Sequence, residues 1–542
     1  MMPADVALLG GRVWTGYGVA AEAAPTTAVA VRGERILAVG TDEEIAGLCG
    51  PGTRKVELGG RLVVPGFHDC HVHFAGGCLQ LGRVQLKDAP DEAEFGRRLR
   101  EFDGRLPAGA WLVGGRWDHD LTFAGVLPTA ALLDRYVPYR PTFLRRYDGH
   151  MAVANTVALR RAGVTGGTPD PPGGRIVRHP QTGEPTGALL DAAMDLVWRH
   201  IPDPTADEIA AALPGGLALA ACRGITSLHD MLGDGGPCLE AYRRLEARGE
   251  LTARLNLYWP IDAWPEATEL AREAASGRVR VRGVKAFVDG SLGSSTAWFH
   301  APYAHEPDHS GFPVAEMAEL AEQMRAADAA GLQLAVHAIG DRAVSELLGA
   351  WEGRLGAARC APTTAVDRRP RIEHAQHIRR EDVARLARLG VIASVQPYHA
   401  IDDARWIAGR LGEERCAEAF AYRSLRDAGV RLAFGSDWPV APLDVMGGID
   451  AAVNRRPVDG THPDGWHPEQ RVSAEDALRA YTTDAAHAAF AESEVGTLQP
   501  GKLADLVVLD ADLTDPARCD AIAETPIALT MLGGRVVYDG LA

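Results

Sequence analysis

The segment PGFHDCHVHF at residues 65–74 places an acid and two histidines at two-residue spacing. Because side chains i and i+2 of a β-strand point to the same side, Asp69, His71 and His73 are predicted to share one face, with His68 on the other. Two imidazoles on one face can ligate one divalent metal ion. In a chain with 18 histidines such a pair also arises by chance, so other residues must support the prediction.

Further candidate functional residues lie at the ends of other apolar, strand-like runs. They are His229 in GITSLHD, Lys285 in GVKAFVDG, His337 in LQLAVHAIGD, His374 in RIEHAQ and Asp437 in RLAFGSD. A single histidine at a strand end is more often a hydrogen-bonded core residue than a ligand. The set His71, His73, Lys285, His337, His374 and Asp437, on the first, fourth, fifth, sixth and eighth strands, instead predicts a site for a hard or borderline divalent ion.

These runs belong to a regular alternation of strand-like and helix-like segments. The strand-like segments lie at 62–73, 224–230, 254–259, 283–290, 332–341, 371–376, 391–397 and 431–437. Most are separated by stretches, such as 314–331 and 380–390, with apolar residues at three- and four-residue intervals and a final glycine. Eight such units predict an α/β fold, a closed (β/α)₈ barrel with functional residues at the carboxyl ends of its strands. A doubly wound open sheet is the alternative, but no G-x-G-x-x-G motif follows the first strand.

Both ends of the chain contain short strand–turn–strand segments, at 8–14, 28–40, 54–66, 501–510 and 531–537. Their position predicts that residues 1–64 and 485–542 combine into one small β-domain beside a barrel at 65–484. About 150 residues separate the first two barrel strands, far more than a βα connection needs. We therefore predict an inserted subdomain at about 80–215, over the barrel mouth.

Composition restricts the function classes. Lys plus Arg number 56 against 72 for Asp plus Glu, a formal charge of −16, which argues against nucleic acid and anionic membranes as partners. The eight cysteines form no C-x-x-C pair, which argues against a disulfide scaffold or a cysteine zinc ribbon and for reduced thiols in a cytoplasmic protein. We also expect no secretory signal and no membrane span, since the start has no basic segment before an apolar one and no apolar run is long enough.

The motifs together resemble the metal-dependent amidohydrolase superfamily. The resemblance rests on PGFHDCHVHF, the histidines of the fifth and sixth strands and GSDWPV. More narrowly, GVKAFVDGSLGSSTAWF, YDGHMAVANTVAL, GEPTGALL and GTLQPGKLADLVVLD resemble the YtcJ-like branch, amidohydrolase family 3, which includes N-substituted formamide deformylases. The resemblance spans nearly the whole chain and implies a (β/α)₈ TIM-type barrel with a β-sandwich formed by both chain ends. His68 departs from it, because an aliphatic residue is common there.

The resemblance also implies the metal ligands. These are His71 and His73 for one ion, His337 and His374 for a second, and Lys285 and Asp437 beside them. Lys285 would bridge two ions as a carbamate, whose two oxygens are anionic; the alternative is a lysine that binds substrate or a nearby acid. Asp437 would contact the first ion and hold a proton. The expected cofactor is a divalent metal, with zinc favoured, at roughly one or two ions per chain.

From this site we predict a hydrolase of amide C–N bonds, with N-formyl or other small N-acyl groups on an apolar amine favoured. Metal-activated hydroxide would attack the carbonyl, and Asp437 would pass the proton to the leaving nitrogen. His150 and His229 would stabilise the oxyanion. The predicted substrate-binding residues are Phe74, Asp289 and Trp117.

Two other functions fit the same residues. One is hydrolysis of esters, lactones or cyclic amides at the same metal centre, and the other is a non-catalytic metal-binding protein with a regulatory role. Asp437 argues against the second, because a structural site needs no general base, although its carboxylate could instead cap a turn. The expected partner is a small-molecule amide, and a homodimer is compatible with the sequence.

Overall fold

A computed structural model describes residues 2–17, 26–147, 149, 151–171, 174–232, 235–273, 277–293, 295–352 and 367–541. The chain divides into two compact units, one made of Met1–Ala75 with Pro214–Ala542 and the other of Gly76–Leu213. Of the four sheets that the described residues form, the first unit contains three and the second contains one, and each unit has hydrophobic core clusters of its own.

Eight parallel strands of the first unit form the sheet that positions the candidate ligands. In chain order they are β1 (Phe67–Val72), β2 (Ile225–Met231), β3 (Arg254–Pro260), β4 (Val279–Phe287), β5 (Gln333–Ala338), β6 (Arg371–His374), β7 (Ile392–Val395) and β8 (Arg431–Phe434). Each pairs with the next along the chain. The amide of His73 donates to Trp438 O at 2.8 Å and that of Asp437 to His71 O at 2.7 Å, so the segment after β8 nearly closes the sheet onto β1. This confirms the predicted (β/α)₈ barrel.

The barrel strands are buried on both faces, which explains their composition. All seven residues of β2 and all six of β5 are buried. Parallel strands covered on both sides form near-continuous apolar runs instead of alternating ones. Polar residues within such strands therefore stand out as candidates for function.

Helices follow the barrel strands in the chain. They span Gly235–Ala247, Trp264–Glu273, Met317–Ala329, Asp341–Ala350, Arg380–Leu389, Pro397–Asp403, Ile407–Leu411, Glu413–Cys416, Tyr422–Asp427, Val445–Asn454, Ala474–Tyr481 and Thr483–Ala488, with 3₁₀ helices at Ile261–Ala263 and Pro468–Gln470. The helix Arg380–Leu389 ends at Gly390, whose φ of 64° is left-handed and favours glycine, as expected from the sequence. Two helices, Phe74–Leu81 and Ala206–Cys222, contain the points where the chain passes between the units. None of the described helices is both long and apolar enough to cross a membrane.

Strands from both chain ends form a β-sandwich. One sheet contains, in spatial order, Arg35–Gly40, Ala28–Arg32, Ala4–Leu9 and Cys49–Glu57, and the other Arg12–Val13, Leu62–Pro65, Leu506–Leu509, Ile527–Leu532 and Arg535–Asp539. Their shared core includes Leu8 and Val31 from the N-terminal part and Leu506 and Leu529 from the C-terminal part. The helix Asp42–Ala46 packs on the first of these sheets, and the 3₁₀ helix Pro516–Ala521 packs on the barrel helix Val445–Asn454.

The second unit is built around a six-stranded mixed sheet. In spatial order its strands are Gly174–Arg178, Pro185–Asp191, Met151–Ala154, Thr142–Arg146, Leu112–Trp117 and Val84–Gln85. Its helices are Glu92–Asp103, His119–Phe123, Ala130–Tyr136, Thr156–Arg161 and Asp195–Trp198, with a 3₁₀ helix at Ala192–Met194. Its cores enclose Phe95, Trp117 and Phe143, so these aromatic residues stabilise the unit itself. Its position over the barrel mouth stays a prediction.

Candidate metal centre

The carboxyl ends of the barrel strands bring candidate ligands together. Ligand atoms of His71, His73 and Asp437 lie within 4.8 Å of one another. The same holds for His374, His399 and Asp437. Nε2 of His71 and Nε2 of His73 lie 3.6 and 3.4 Å from Oδ1 of Asp437. Asp437 therefore belongs to both clusters, and His399 joins them without having been predicted.

Two further predicted ligands adjoin these clusters. The ring centroids of His337 and His374 are 4.5 Å apart. Nζ of Lys285 lies 4.7 Å from the ring centroid of Phe287, which packs on His337. This Nζ is buried and has no hydrogen-bond partner among the described residues. Burial lowers the pKa of the amine to about 8, so a larger fraction of it is neutral than in an exposed lysine.

Each predicted histidine ligand is held in place by a hydrogen bond between one of its ring nitrogens and a neighbouring oxygen atom. The anchors are Glu373 Oε2 for Nδ1 of His71 at 2.6 Å, Met231 O for Nδ1 of His73 at 2.8 Å, Gln396 Oε1 for Nδ1 of His374 at 2.8 Å and Gly290 O for Nε2 of His337 at 2.9 Å. All four anchors are oxygen acceptors, so the anchored nitrogen carries the proton and the other carries the lone pair. Burial lowers the pKa of His71 to about 4 and that of His337 to about 3, which keeps both imidazoles neutral. A neutral imidazole with a free lone pair is the form that binds a metal ion.

Asp437 supplies an ionised carboxylate to the same place. Although burial alone raises its pKa, a hydrogen bond from the protonated ring of His73 and the charge of a protonated His71 hold that pKa well below its usual range, and despite burial Asp437 in turn raises the pKa of His73. Its Oδ1 and Nε2 of His71 are buried and have no hydrogen-bond partner in the described part of the chain. When both rings are neutral, their lone pairs face an anionic oxygen, and such a group of acceptors is costly unless a cation, either a proton or a metal ion, binds to it. These residues fit a divalent metal ion.

The backbone at two of these residues adopts a conformation that is rare outside glycine. The angle φ is 60° at Asp437 and 72° at His374. Left-handed conformations cost other residues on the order of 1–3 kcal/mol and persist where surrounding contacts over-determine them, as at functional sites. At Asp437 one such contact comes from Asp69, whose Oδ1 accepts from the amide of Ser436 at 2.9 Å. Asp69 thus positions the turn that presents Asp437.

An ion pair inside the barrel supports His71. Arg371 and Glu373 are fully buried, and two bonds join them, Nε to Oε1 at 2.8 Å and Nη2 to Oε2 at 3.1 Å. The guanidinium also donates to the hydroxyl of Tyr258 at 2.8 Å and to Cys70 O at 2.6 Å. Despite burial, Arg371 and His71 hold the pKa of Glu373 well below its usual range. The ionised Glu373 fixes the tautomer and the orientation of His71.

A β-bulge in β1 changes the predicted alternation of that strand. Between Asp69 and Val72, two residues of β1 lie opposite one residue of β2, His229. The extra residue shifts the alternation of inward and outward side chains by one position along the strand. His68 consequently contacts the barrel interior, where its Nδ1 lies 3.4 Å from Nε2 of His229. The prediction that His68 lies on the face opposite to His71 is wrong for this reason.

His229 bonds inside the barrel instead of joining the ligand clusters. Its Nδ1 accepts from Nη1 of Arg371 at 2.9 Å, so Nε2 carries the proton and faces Nδ1 of His68. With its only N–H directed to His68, His229 has no donor left for an oxyanion, and these contacts do not support that predicted role. His150, the other predicted oxyanion donor, lies outside the described residues.

The three predicted substrate-binding residues make structural contacts. Phe74 is fully buried, with its ring centroid 5.7 Å from that of Trp438. The carboxylate of Asp289 accepts three backbone N–H groups at 2.8–3.0 Å and so ties the ends of β4 and β5 together. Trp117 is fully buried in the core of the second unit and donates its indole N–H to a backbone carbonyl. Their role in substrate binding stays a prediction.

Two functional candidates were not predicted. His399 follows β7 in the sequence QPYHA, and Glu373 precedes His374 in RIEH. The sequence contained a signal for each of them: His399 is a histidine just beyond a barrel strand, and Glu373 is an acid next to a predicted ligand. Their importance depends on contacts with other strands, which spacing in the sequence does not reveal.

Comparison with known proteins gives matches over nearly the whole chain. The sequence profile of the amidohydrolase family matches residues 54–538. The chain is 39% identical to Protein LONG AFTER FAR-RED 3 of Arabidopsis thaliana over 524 residues, covering 94% of this chain and 88% of that protein. It is 31% identical to the putative amidohydrolase YtcJ of Bacillus subtilis, covering 97% of this chain and 99% of that protein. It is 29% identical to the N-substituted formamide deformylase of Arthrobacter pascens, covering 94% and 95%.

A solved structure has the same architecture. The crystal structure of an uncharacterized metal-dependent hydrolase from Pyrococcus furiosus matches with a TM-score of 0.75 at 30% identity, covering 94% of this chain and 100% of that one. Together with the sequence matches, this confirms the resemblance that the motifs indicated.

Proposed function

The chain belongs to the amidohydrolase family, whose profile matches most of its length, and from this we propose that it hydrolyses amide C–N bonds with a bound metal ion. N-formyl and other small N-acyl groups on an apolar amine are the favoured substrates. We base the proposal on the arrangement of His71, His73 and Asp437, in which two anchored imidazoles present free nitrogens to an ionised carboxylate.

Two groups of residues would hold the metal. His71, His73 and Asp437 would bind one ion, and His337, His374 and Lys285 would bind a second. Their nitrogen and oxygen atoms favour zinc among the divalent ions. When bound, the ion would polarise the substrate carbonyl and lower the pKa of a coordinated water molecule. Lys285 suits a carbamate because its buried Nζ has no hydrogen-bond partner among the residues described.

Asp437 is the group that would move the proton. Its Oδ1 faces Nε2 of His71 at 3.6 Å and would bind the ion, so the other carboxylate oxygen, Oδ2, would take a proton from the attacking water. The same oxygen would deliver that proton to the leaving nitrogen as the C–N bond breaks, which yields a carboxylic acid and a free amine. Glu373 would keep His71 in the tautomer that leaves Nε2 unprotonated.

Apolar side chains near the ligands support an apolar amine as the leaving group. Phe287 is 47% exposed, and its ring centroid lies 5.2 Å from that of His337. Trp438 directly follows Asp437 and packs on Phe74. The name of one relative, an N-substituted formamide deformylase, supports a formyl group on a substituted nitrogen.

A substrate panel tests the proposal. The metal-loaded protein would be assayed with N-alkyl formamides, N-acyl amino acids, simple esters and lactones. We expect turnover of formamides to exceed that of esters and lactones and to fall as the alkyl chain shortens. Turnover of esters or lactones without turnover of formamides would show that the protein is an esterase or lactonase instead. No turnover at all with metal bound would favour the regulatory role.

A further inference from the structure

His399 lies beside the metal centre but differs from the predicted ligands. It belongs to the helix Pro397–Asp403, directly after β7, and its side chain is 13% exposed. Its ring stacks on that of His374, with centroids 6.2 Å apart and an angle of 14°. Its Nε2 lies 3.8 Å from Oδ2 of Asp437. His399 therefore adjoins both a candidate ligand and the proposed proton carrier.

The hydrogen bond of His399 gives its ring the opposite tautomer to that of the ligands. The side-chain amide of Gln376 donates to Nδ1 at 3.4 Å. Nδ1 is then the acceptor and Nε2 carries the proton, whereas Nε2 of His71 and Nε2 of His374 carry lone pairs. His399 thus presents an N–H group to the centre, and not a ligand atom.

This N–H group has no acceptor in the part of the chain that the structure describes. At 3.8 Å, Oδ2 of Asp437 is beyond hydrogen-bond distance. A buried donor without a partner is destabilising, so an oxygen atom brought by a bound molecule would stabilise it. In an amide substrate that atom is the carbonyl oxygen, which gains negative charge as water adds.

We propose that His399 donates its Nε2–H to the substrate carbonyl oxygen and stabilises the oxyanion, the role that the sequence suggested for His150 and His229. This inference rests on the proposed function. The carbonyl π electrons move to the oxygen as water adds and return as the C–N bond breaks, while Asp437 carries the proton from water to nitrogen. His399 keeps its own proton throughout. A donor aimed at developing charge contributes about 10²–10³-fold to kcat.

Two variants and a matched control test this role. His399→Phe keeps a planar ring but removes the N–H, His399→Gln restores a donor, and His462→Phe makes the same change at an exposed position. For His399→Phe we expect unchanged metal content and melting temperature, and a kcat for an N-alkyl formamide lower by about 10²–10³-fold at nearly unchanged KM. His399→Gln should recover about tenfold of the loss. His462→Phe should match the parent.

Phosphate binding gives a second readout that needs no substrate. Inorganic phosphate, a tetrahedral anion, would be titrated into metal-loaded protein, and His399→Phe should weaken its binding by about tenfold. If His399→Phe loses one metal ion per chain, His399 is a ligand and the proposal is wrong. The proposal is also wrong if the variant keeps the kcat or the phosphate affinity of the parent, or if the parent binds no phosphate. If the parent hydrolyses no formamide but the substitution still weakens phosphate binding, the proposed substrate is wrong and the donor role of His399 stands.

Discussion

Glu373→Gln tests whether the ion pair inside the barrel holds the metal centre. Glu373 accepts Nδ1–H of His71 at 2.6 Å and pairs with the guanidinium of Arg371 through both of its oxygens. Glutamine has nearly the same volume but no charge. The substitution therefore removes the ionised acceptor of His71 and leaves the buried charge of Arg371 without its carboxylate partner. We expect both metal affinity and stability to fall.

These contacts allow the loss of metal affinity and the loss of folding stability to be estimated. Loss of an acceptor behind a metal-ligating histidine typically lowers metal affinity by about 10–100-fold, which corresponds to about 1.4–2.8 kcal/mol. Removing one partner of a buried ion pair destabilises a fold by about 3–5 kcal/mol, and both residues here are 0% exposed, so solvent cannot compensate. The bonds of Arg371 to Tyr258 and Cys70 remain, which favours the lower end of that range.

Metal affinity would be measured by chelator competition and stability by urea unfolding of the metal-free protein, so that the two effects separate. Glu352→Gln is the matched control, because Glu352 also pairs with arginine side chains, those of Arg385 and Arg388, but is partly exposed to solvent. It should leave metal affinity unchanged. A Glu373→Gln variant that binds metal as tightly as the parent, whatever its stability, would refute the role of Glu373 in holding His71.

Asp437→Asn should keep its metal but lose about 10²–10⁴-fold in turnover, because asparagine cannot carry the proton; turnover within about threefold of the parent would exclude Asp437 as the proton carrier. Lys285→Ala should lose activity and regain part of it with short carboxylic acids that replace a carbamate. A native mass of the active, metal-loaded parent without an added CO₂ would contradict carbamylation. Phe287→Ala should raise KM for N-hexylformamide on the order of tenfold and leave that for N-methylformamide unchanged, with the exposed Tyr139→Ala as control. Equal effects on both formamides would mean that Phe287 does not contact the alkyl chain.

The barrel strands could be predicted from the sequence because parallel strands buried on both faces form short apolar runs. The observed β2 and β5 coincide with the runs at 224–230 and 332–341 to within a few residues. The same pattern indicated the candidate ligands, and the resemblance assigned them to ions. His337 and His374 lie at or near the ends of their strands, and Asp437 lies just beyond β8.

Three other features depend on contacts between distant parts of the chain. The bulge in β1 turns His68 inward, and only the pairing of β1 with β2 reveals it. Arg371 and Glu373 are two residues apart on β6, but the partners that give them a role lie on other strands. His399 becomes a candidate only because the helix after β7 places it against His374.

Turnover measured as a function of bound metal tests the metal centre most directly. The protein would be stripped with a chelator and metal returned in steps, with bound metal and formamide hydrolysis measured on the same samples. We predict no turnover without metal and a rise in proportion to bound zinc, up to roughly one or two ions per chain. His71→Ala should neither bind the ion that His71, His73 and Asp437 would share nor recover activity. A metal-free protein that remains fully active would contradict the role assigned to these residues.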